Sequence, residues 1–502
     1  MQPFFSDRNR DTRSTQSAHV SGSSATGSQT SIARDRFSNE VIHLSSRSLL
    51  VVFLALVGLI LGFSSFYNPD SGLSLIFFIV TYFCVLFTFV WTYRTYTDSF
   101  NLLNLFLLAG FLRLHLPALI GDPFDPDIRL FSQLSITYSD WTRGNIMGLI
   151  GTLSVILGWM IGPHLFISII RTILSLLSIG KDSKHLVLIS TLGTVIGLIG
   201  ILFFIQMNGL SILSAAQSGE FRNTEIQEGT GFLFWIGLIG IGCSSILATA
   251  HLQNKKPIII AAIPVLFVVA SFWILGGRFR AMTPLISLSL IVIYNHKISA
   301  RHFRVFLAIM AIISIIVPYL LYAGFLYRNG LGISAFPAAA NISQLTNYAG
   351  RSVAREIGQT FSLAAVARLE PGVLHGQTFN AFLWPISDFI GIDGKSSGKY
   401  IIETLVGTDS FGIHPTIIGD TYLNYGLIAV PIILILFGAI CRALYLAFKL
   451  EYVPLPLYTI SAIYLLRIYY ESVDKYKEFL VILLFMILFY KLGQYFGLSQ
   501  RA

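Results

Sequence analysis

The run SLLVVFLALVGLILGFSSFY, residues 48–67, carries no charged side chain over twenty consecutive positions. As a helix it rises about 30 Å, the thickness of a bilayer's hydrocarbon core. Residues 1–47 ahead of it are rich in Ser, Arg, Asn and Thr and lack apolar periodicity, the composition of a disordered tail. The run begins too far into the chain for a secretory signal, is too long for one, and has no small-residue cleavage site. Arg8, Arg10, Arg13, Arg34, Arg36 and Arg47 precede it. It reads as a retained first span whose N-terminal side stays in the cytoplasm.

Working outward, the rest of the chain repeats the pattern. Mean hydropathy is +0.71 and only 12% of the 502 residues are charged. A soluble fold has no way to hide that much apolar surface from water, so soluble enzymes and nucleic-acid-binding modules are excluded. Cys84, Cys243 and Cys441 each lie inside an apolar run without metal-ligand spacing, and read as small core residues.

A window of about 19 residues marks about twelve spans: 48–67, 73–93, 101–120, 145–163, 185–206, 231–250, 257–275, 281–295, 304–323, 424–443, 454–469 and 478–496. The expected fold is an all-α polytopic membrane protein with both termini in the cytoplasm. Alternate loops then carry Arg94; Arg171, Lys181 and Lys184; Lys255 and Lys256; Lys297, Arg301 and Arg304; Arg442 and Lys449; Lys491 and Arg501 on the inner side. That is the positive-inside pattern. The organisation is a tail over 1–47, a bundle of about nine spans over 48–323, a large helical extracytoplasmic loop over 324–420, and the last three spans over 421–502. The 281–295 span is short, and without it the large loop would face the cytoplasm. The basic 296–304 turn argues against that.

The outer side is rich in arginine: Arg113, Arg129, Arg143, Arg222, Arg278, Arg280, Arg328, Arg351, Arg355, Arg368 and Arg467. Its lysines are Lys395, Lys399, Lys475 and Lys477. A guanidinium matches phosphate oxygens in pairs and stays charged when partly dehydrated, so this bias points to an anionic ligand. The plainer alternative is that single arginines pair with Asp122, Asp125, Asp127, Glu220 or Glu356 and hold loops.

Gly276-Gly277-Arg278-Phe279-Arg280 stands at an outer mouth between two spans, where glycines allow backbone and ligand to approach. Arg351 and Arg355 lie four apart in 343–369, whose apolar spacing predicts an amphipathic helix at the membrane surface. Phe411-Gly412-Ile413-His414-Pro415-Thr416 leads to Gly419-Asp420-Thr421-Tyr422-Leu423-Asn424-Tyr425-Gly426 and a new span. Small and polar residues at such a re-entry point line a cavity rather than face lipid. His414, Asp420 and His375 are the candidate proton acceptors.

This plan resembles the bacterial Wzy-type O-antigen and oligosaccharide repeat-unit polymerases, and through them the O-antigen ligases. The resemblance covers nearly the whole chain after about residue 48. It rests on the span count, the Phe-Leu-Arg113-Leu-His115-Leu-Pro117 stretch, Gly-Gly-Arg278-Phe-Arg280, the late outer loop, and the Gly419–Gly426 segment. It implies a GT-C-like helical fold in the bacterial inner membrane, with the active site facing the periplasm. It implies a metal-independent glycosyltransferase without cofactor, transferring a glycan from undecaprenyl pyrophosphate to a hydroxyl on another lipid-linked repeat unit. Arg278, Arg280, Arg328, Arg351 and Arg355 then bind the pyrophosphate. His414, Asp420 or His375 serves as base, and Tyr422, Asn424 and Arg113 bind the acceptor. Membrane lipids, a chain-length regulator and a flippase are the implied partners. Asp122, Asp125 and Asp127 come nearest to a metal cluster in the outer loops. The alternatives are a ligase moving finished glycan to a lipid core, and a twelve-span transporter. A carrier of that kind has two halves joined by a long central cytoplasmic connection, whereas the connection here, 251–256, is short.

Overall fold

The computed structural model describes residues 46–95, 101–111, 136–162, 172, 185–208, 231–275, 278–295, 319, 322–323, 326, 331, 334–341, 358–383, 397–407, 413–450 and 452–499. Among them there is helix and no strand. The chain is a helical membrane protein. Six helices are long and apolar enough to cross a bilayer: α1 (Ser46–Tyr67), α2 (Gly72–Thr95), α4 (Tyr138–Ile161), α5 (Leu186–Asn208), α6 (Gly231–Gln253) and α13 (Ala429–Lys449). Between them come α3 (Leu102–Gly110) and the shorter apolar pair α7 (Ile258–Ile274) and α8 (Arg278–Asn295). The late part of the chain adds α9 (Ala335–Ala339), α10 (Gly358–Ala367), α11 (Ser397–Val406), α12 (Thr416–Tyr425), α14 (Leu455–Tyr470) and α15 (Tyr476–Ser499). Residues 1–45 of the predicted tail, most of the predicted 304–323 span and residues 342–357 of the predicted surface helix lie outside the described residues.

The outside of the bundle is greasy. Phe53, Ile60, Phe83, Leu202, Phe267 and Ile432 are all exposed large hydrophobics, as expected where the neighbour is acyl chain rather than water. Inside, helices meet at small residues, because lipid gives apolar side chains no reason to prefer one another and close van der Waals contact decides the pairing. A Cβ on Gly158 of α4 would collide with the Ile435 carbonyl of α13, and one on Gly438 of α13 with the Val155 carbonyl of α4. The Gly197–Gly240 approach does the same for α5 and α6.

These contacts also show which helix ends lie together. Phe66 at the end of α1 stacks near Tyr422 in α12, and Gly144 near the start of α4 abuts the Ala364 backbone in α10. Tyr470 at the end of α14 donates to the Phe106 carbonyl in α3, and Arg280 at the start of α8 reaches Glu478 at the start of α15. At the other end, Trp159 of α4 meets Arg442 of α13, and Tyr294 of α8 meets Phe448 and Tyr458.

Two elements differ from expectation. The span read as 424–443 begins at Ala429, because Gly426 adopts φ +83 and splits α12 from α13. A left-handed residue ends the first helix at almost no cost only if it is glycine. The expected surface helix packs only its apolar face on the bundle, whereas its described part, α10, is covered on every side from Phe361 to Ala367. Phe361 to Ala367 are all buried, because Gly144 leaves room for the α10 backbone to press against α4.

Candidate functional site

At this shared end, four charged side chains form a chain of ion pairs. Arg467, in the last turn of α14, donates through Nε to Glu471 Oε2 at 2.8 Å and through Nη1 to Glu478 Oε2 at 2.5 Å. The Arg280 Nη2 donates to Glu478 Oε1 at 2.6 Å, so each Glu478 oxygen holds a different guanidinium. Aromatic rings close over the pairs. The Arg467 guanidinium lies 4.2 Å from the Phe279 ring centre and 5.8 Å from that of Tyr464, and Arg280 lies 4.7 Å from that of Phe234. Charges withdrawn from water this far persist only as matched pairs, and here two cations face two anions. Burial alone would raise the Glu471 carboxyl, but Arg467, Lys475 and His414 nearby draw it below its ordinary value.

Beside this chain lies a second polar cluster centred on Asp420, which is fully buried in α12. Its Oδ2 accepts from the Val473 amide at 2.8 Å and the Ser472 hydroxyl at 3.1 Å. Its Oδ1 accepts a short hydrogen bond from the Ser397 hydroxyl. Because Ser397 spends its one proton there, Thr378 is the donor in the 2.8 Å Thr378–Ser397 contact. Asn424, one turn on from Asp420, donates to the Asp420 carbonyl at 2.6 Å and accepts from the Thr378 amide at 3.2 Å. One carboxylate thus ties α12, the start of α11 and the 3-10 turn Val473–Lys475 into one unit.

The two clusters share a bridge. The Thr416 amide donates to the Glu471 carbonyl at 2.9 Å. Thr416 sits at φ +66, a left-handed conformation that is costly for a β-branched residue. His414 and Pro415 lead directly into it, which holds the half-buried His414 near Glu471.

The predicted site residues separate accordingly. Asp420, Asn424, His414 and Arg280 fall into the two adjoining clusters. His375 lies apart, exposed in the turn before the 3-10 segment Gln377–Leu383, at φ +46. Tyr422 is buried on the opposite flank of α12, where its hydroxyl reaches the Leu369 carbonyl at 3.4 Å. Arg278 opens α8, and its side chain is outside the described residues. Arg113, Arg328, Arg351 and Arg355 also lie outside them, as do Asp122, Asp125 and Asp127.

Sequence reasoning passed over Glu471 and Glu478, and also Ser397, Ser472 and Thr378. The Arg467-to-Glu471 spacing of four at a helix end was the available signal. Arg143, in the second turn of α4, differs from its paired counterparts. It is half-buried, its Nε is sealed from solvent, and it meets no hydrogen-bond acceptor or carboxylate among the described residues.

No known protein family, curated protein or solved structure matches this chain.

Proposed function

We propose that this protein is a polymerase of polyprenyl-diphosphate-linked glycan repeat units. In this reading it is a GT-C-like bundle of about twelve spans, with its site on the outer face of a bacterial inner membrane and both termini in the cytoplasm. The orientation follows from charge: Lys255, Lys256, Arg442 and Lys449 collect at the end of the bundle away from the site. The observation that carries the function is the half-buried His414 held beside the Arg280–Glu478–Arg467–Glu471 chain, whose centre, Arg467 and Glu478, is buried.

In the reaction, an acceptor sugar hydroxyl attacks the anomeric carbon of the donor, and the bond from that carbon to the phosphate oxygen breaks. The diphosphate leaves with the electron pair, and His414 takes the hydroxyl proton. Glu471 stabilises the imidazolium as it forms, while Arg467 holds Glu471 at a fixed distance. Asp420 is a positioning residue here, since its oxygens are engaged by Ser397, Ser472 and Val473.

The test uses full-length protein in lipid vesicles with single lipid-linked repeat units and no core acceptor. Wild type should build ladders, and His414→Gln should slow them by about two to four decades while remaining folded. Unchanged ladder rates in His414→Gln would remove His414 as the base. Absence of ladders from wild type would remove the polymerase reading.

A further inference from the structure

We propose that Arg143 forms, with Tyr67 and Tyr422, a phosphate-binding site between α1, α4 and α12, separate from the Arg280–Arg467 ion chain. The inference begins from which arginines are already neutralised. Arg280 and Arg467 each hold a carboxylate within 2.8 Å, so an incoming anion would have to displace Glu478 or Glu471. Arg143 has no such occupant among the described residues. The acid within one helical turn of it, Asp140, commits its Oδ2 to the α4 cap, accepting from the Thr137 amide at 3.0 Å and hydroxyl at 2.7 Å. Half-burial strips the guanidinium of part of its water, and its planar fork matches an oxyanion, so that is the partner proposed for it.

The surroundings suit a phosphate rather than a bare ion. Phe66 joins Tyr422 and Tyr67, its ring centre 5.9 Å from one and 5.7 Å from the other, and burial, with Tyr67 adding and Arg143 opposing, pushes the Tyr422 phenol up to about 12. Its hydroxyl turns to the Leu369 carbonyl at 3.4 Å, a long contact, so it would reach a phosphate only by giving that contact up. Its ring lies 5.9 Å from that of Phe66, so an apolar wall flanks the site, and the exposed Tyr67 stands at its rim. The site lies on the flank of α12 opposite Asp420, since positions 420 and 422 are about 200° apart around a helix. For the carrier of the phosphate, this inference rests on the polymerase reading, which supplies a lipid-linked diphosphate. The chemistry itself is shared by a membrane-borne headgroup and a soluble phosphate.

Full-length protein in neutral phosphatidylcholine nanodiscs is titrated with inorganic pyrophosphate while its unfolding temperature is followed. A second arm adds phosphatidylglycerol to the nanodiscs in place of pyrophosphate. Wild type should be stabilised in at least one arm. Arg143→Gln should need about tenfold to a hundredfold more ligand for the same shift. The fork-less Arg143→Lys, which keeps the charge should Gln impair folding, should fall between them. Lys256→Gln, removing an exposed charge at the far end, should match wild type. A response to pyrophosphate identifies phosphate alone as sufficient, and a response only to phosphatidylglycerol identifies a lipid-borne phosphate. Equal midpoints for wild type, Arg143→Gln and Arg143→Lys, or no stabilisation in either arm, would overturn the proposal. Arg143-dependent binding without ladders from wild type sinks the polymerase and spares this site; ladders with Arg143-independent binding do the reverse.

Discussion

Arg280 and Arg467 share one carboxylate, yet removing them should have unequal consequences. The Arg467 side chain is 6% exposed and holds two glutamates, whereas that of Arg280 is 25% exposed and holds one. Arg467→Gln strands Glu471 beside a weakened partner and leaves half of Glu478 unmatched in a nearly dry site. Breaking a buried pair from one side costs about 3–5 kcal/mol. Arg280→Gln breaks a single pair that water partly screens, so about 1 kcal/mol is expected. Unfolding entropy scales as about 2 cal/mol/K per residue, roughly 1 kcal/mol/K for a chain of this size, so Tm should fall by about 3–5 °C for Arg467→Gln and about 1 °C for Arg280→Gln. The assay is thermal unfolding of purified variants in one detergent, read by intrinsic fluorescence. A double-mutant cycle with Glu478→Gln supplies the coupling, expected at about 1–3 kcal/mol for Arg467–Glu478. Equal Tm losses for the two arginine variants, or no coupling between Arg467 and Glu478, would refute the view that burial sets the strength of this network.

Two further outcomes are expected. Glu471 titrates below its unfolded value, so its contribution to stability is fully present above the ordinary carboxylate pKa and is lost as pH falls through the depressed folded one. Wild type should lose Tm on acidification below about pH 4.3, and Glu471→Gln should flatten that loss; parallel Tm–pH curves for the two proteins would argue against it. Asp420→Asn replaces an acceptor with a donor in a cluster where Ser397, Ser472 and the Val473 amide all donate. It should cost about 1–3 kcal/mol and speed proteolysis within α11 (Ser397–Val406), whereas unchanged protease kinetics would remove Asp420 as the tie between α11, α12 and the Val473–Lys475 turn.

Much of the architecture was legible before any coordinates. Long uncharged runs such as 48–67 have no stable home except a bilayer, and the alternation of their ends puts Arg280 and Arg467 on one side, where both meet Glu478. The break at Gly426 was harder to read, because a glycine inside an apolar run bends or simply packs, and only its φ distinguishes the two. The burial of α10 beyond its apolar face escaped notice for a related reason. An apolar stripe with polar intervals looks alike whether the polar side meets water or a neighbour's backbone, and the neighbour here is Gly144 on a distant helix.

The candidate site divides in the same way. Sequence by itself determined that this is a helical membrane protein and that arginines, His414 and Asp420 crowd one end of it, because hydropathy and charge act locally along the chain. Which arginine is neutralised was decided only by tertiary structure: Arg280 meets Glu478 across 198 positions, while the Arg143 Nε meets no acceptor among the described residues. Ion pairing is a matter of a few ångströms between side chains, and no spacing rule along the sequence reports distances between helices so far apart in it.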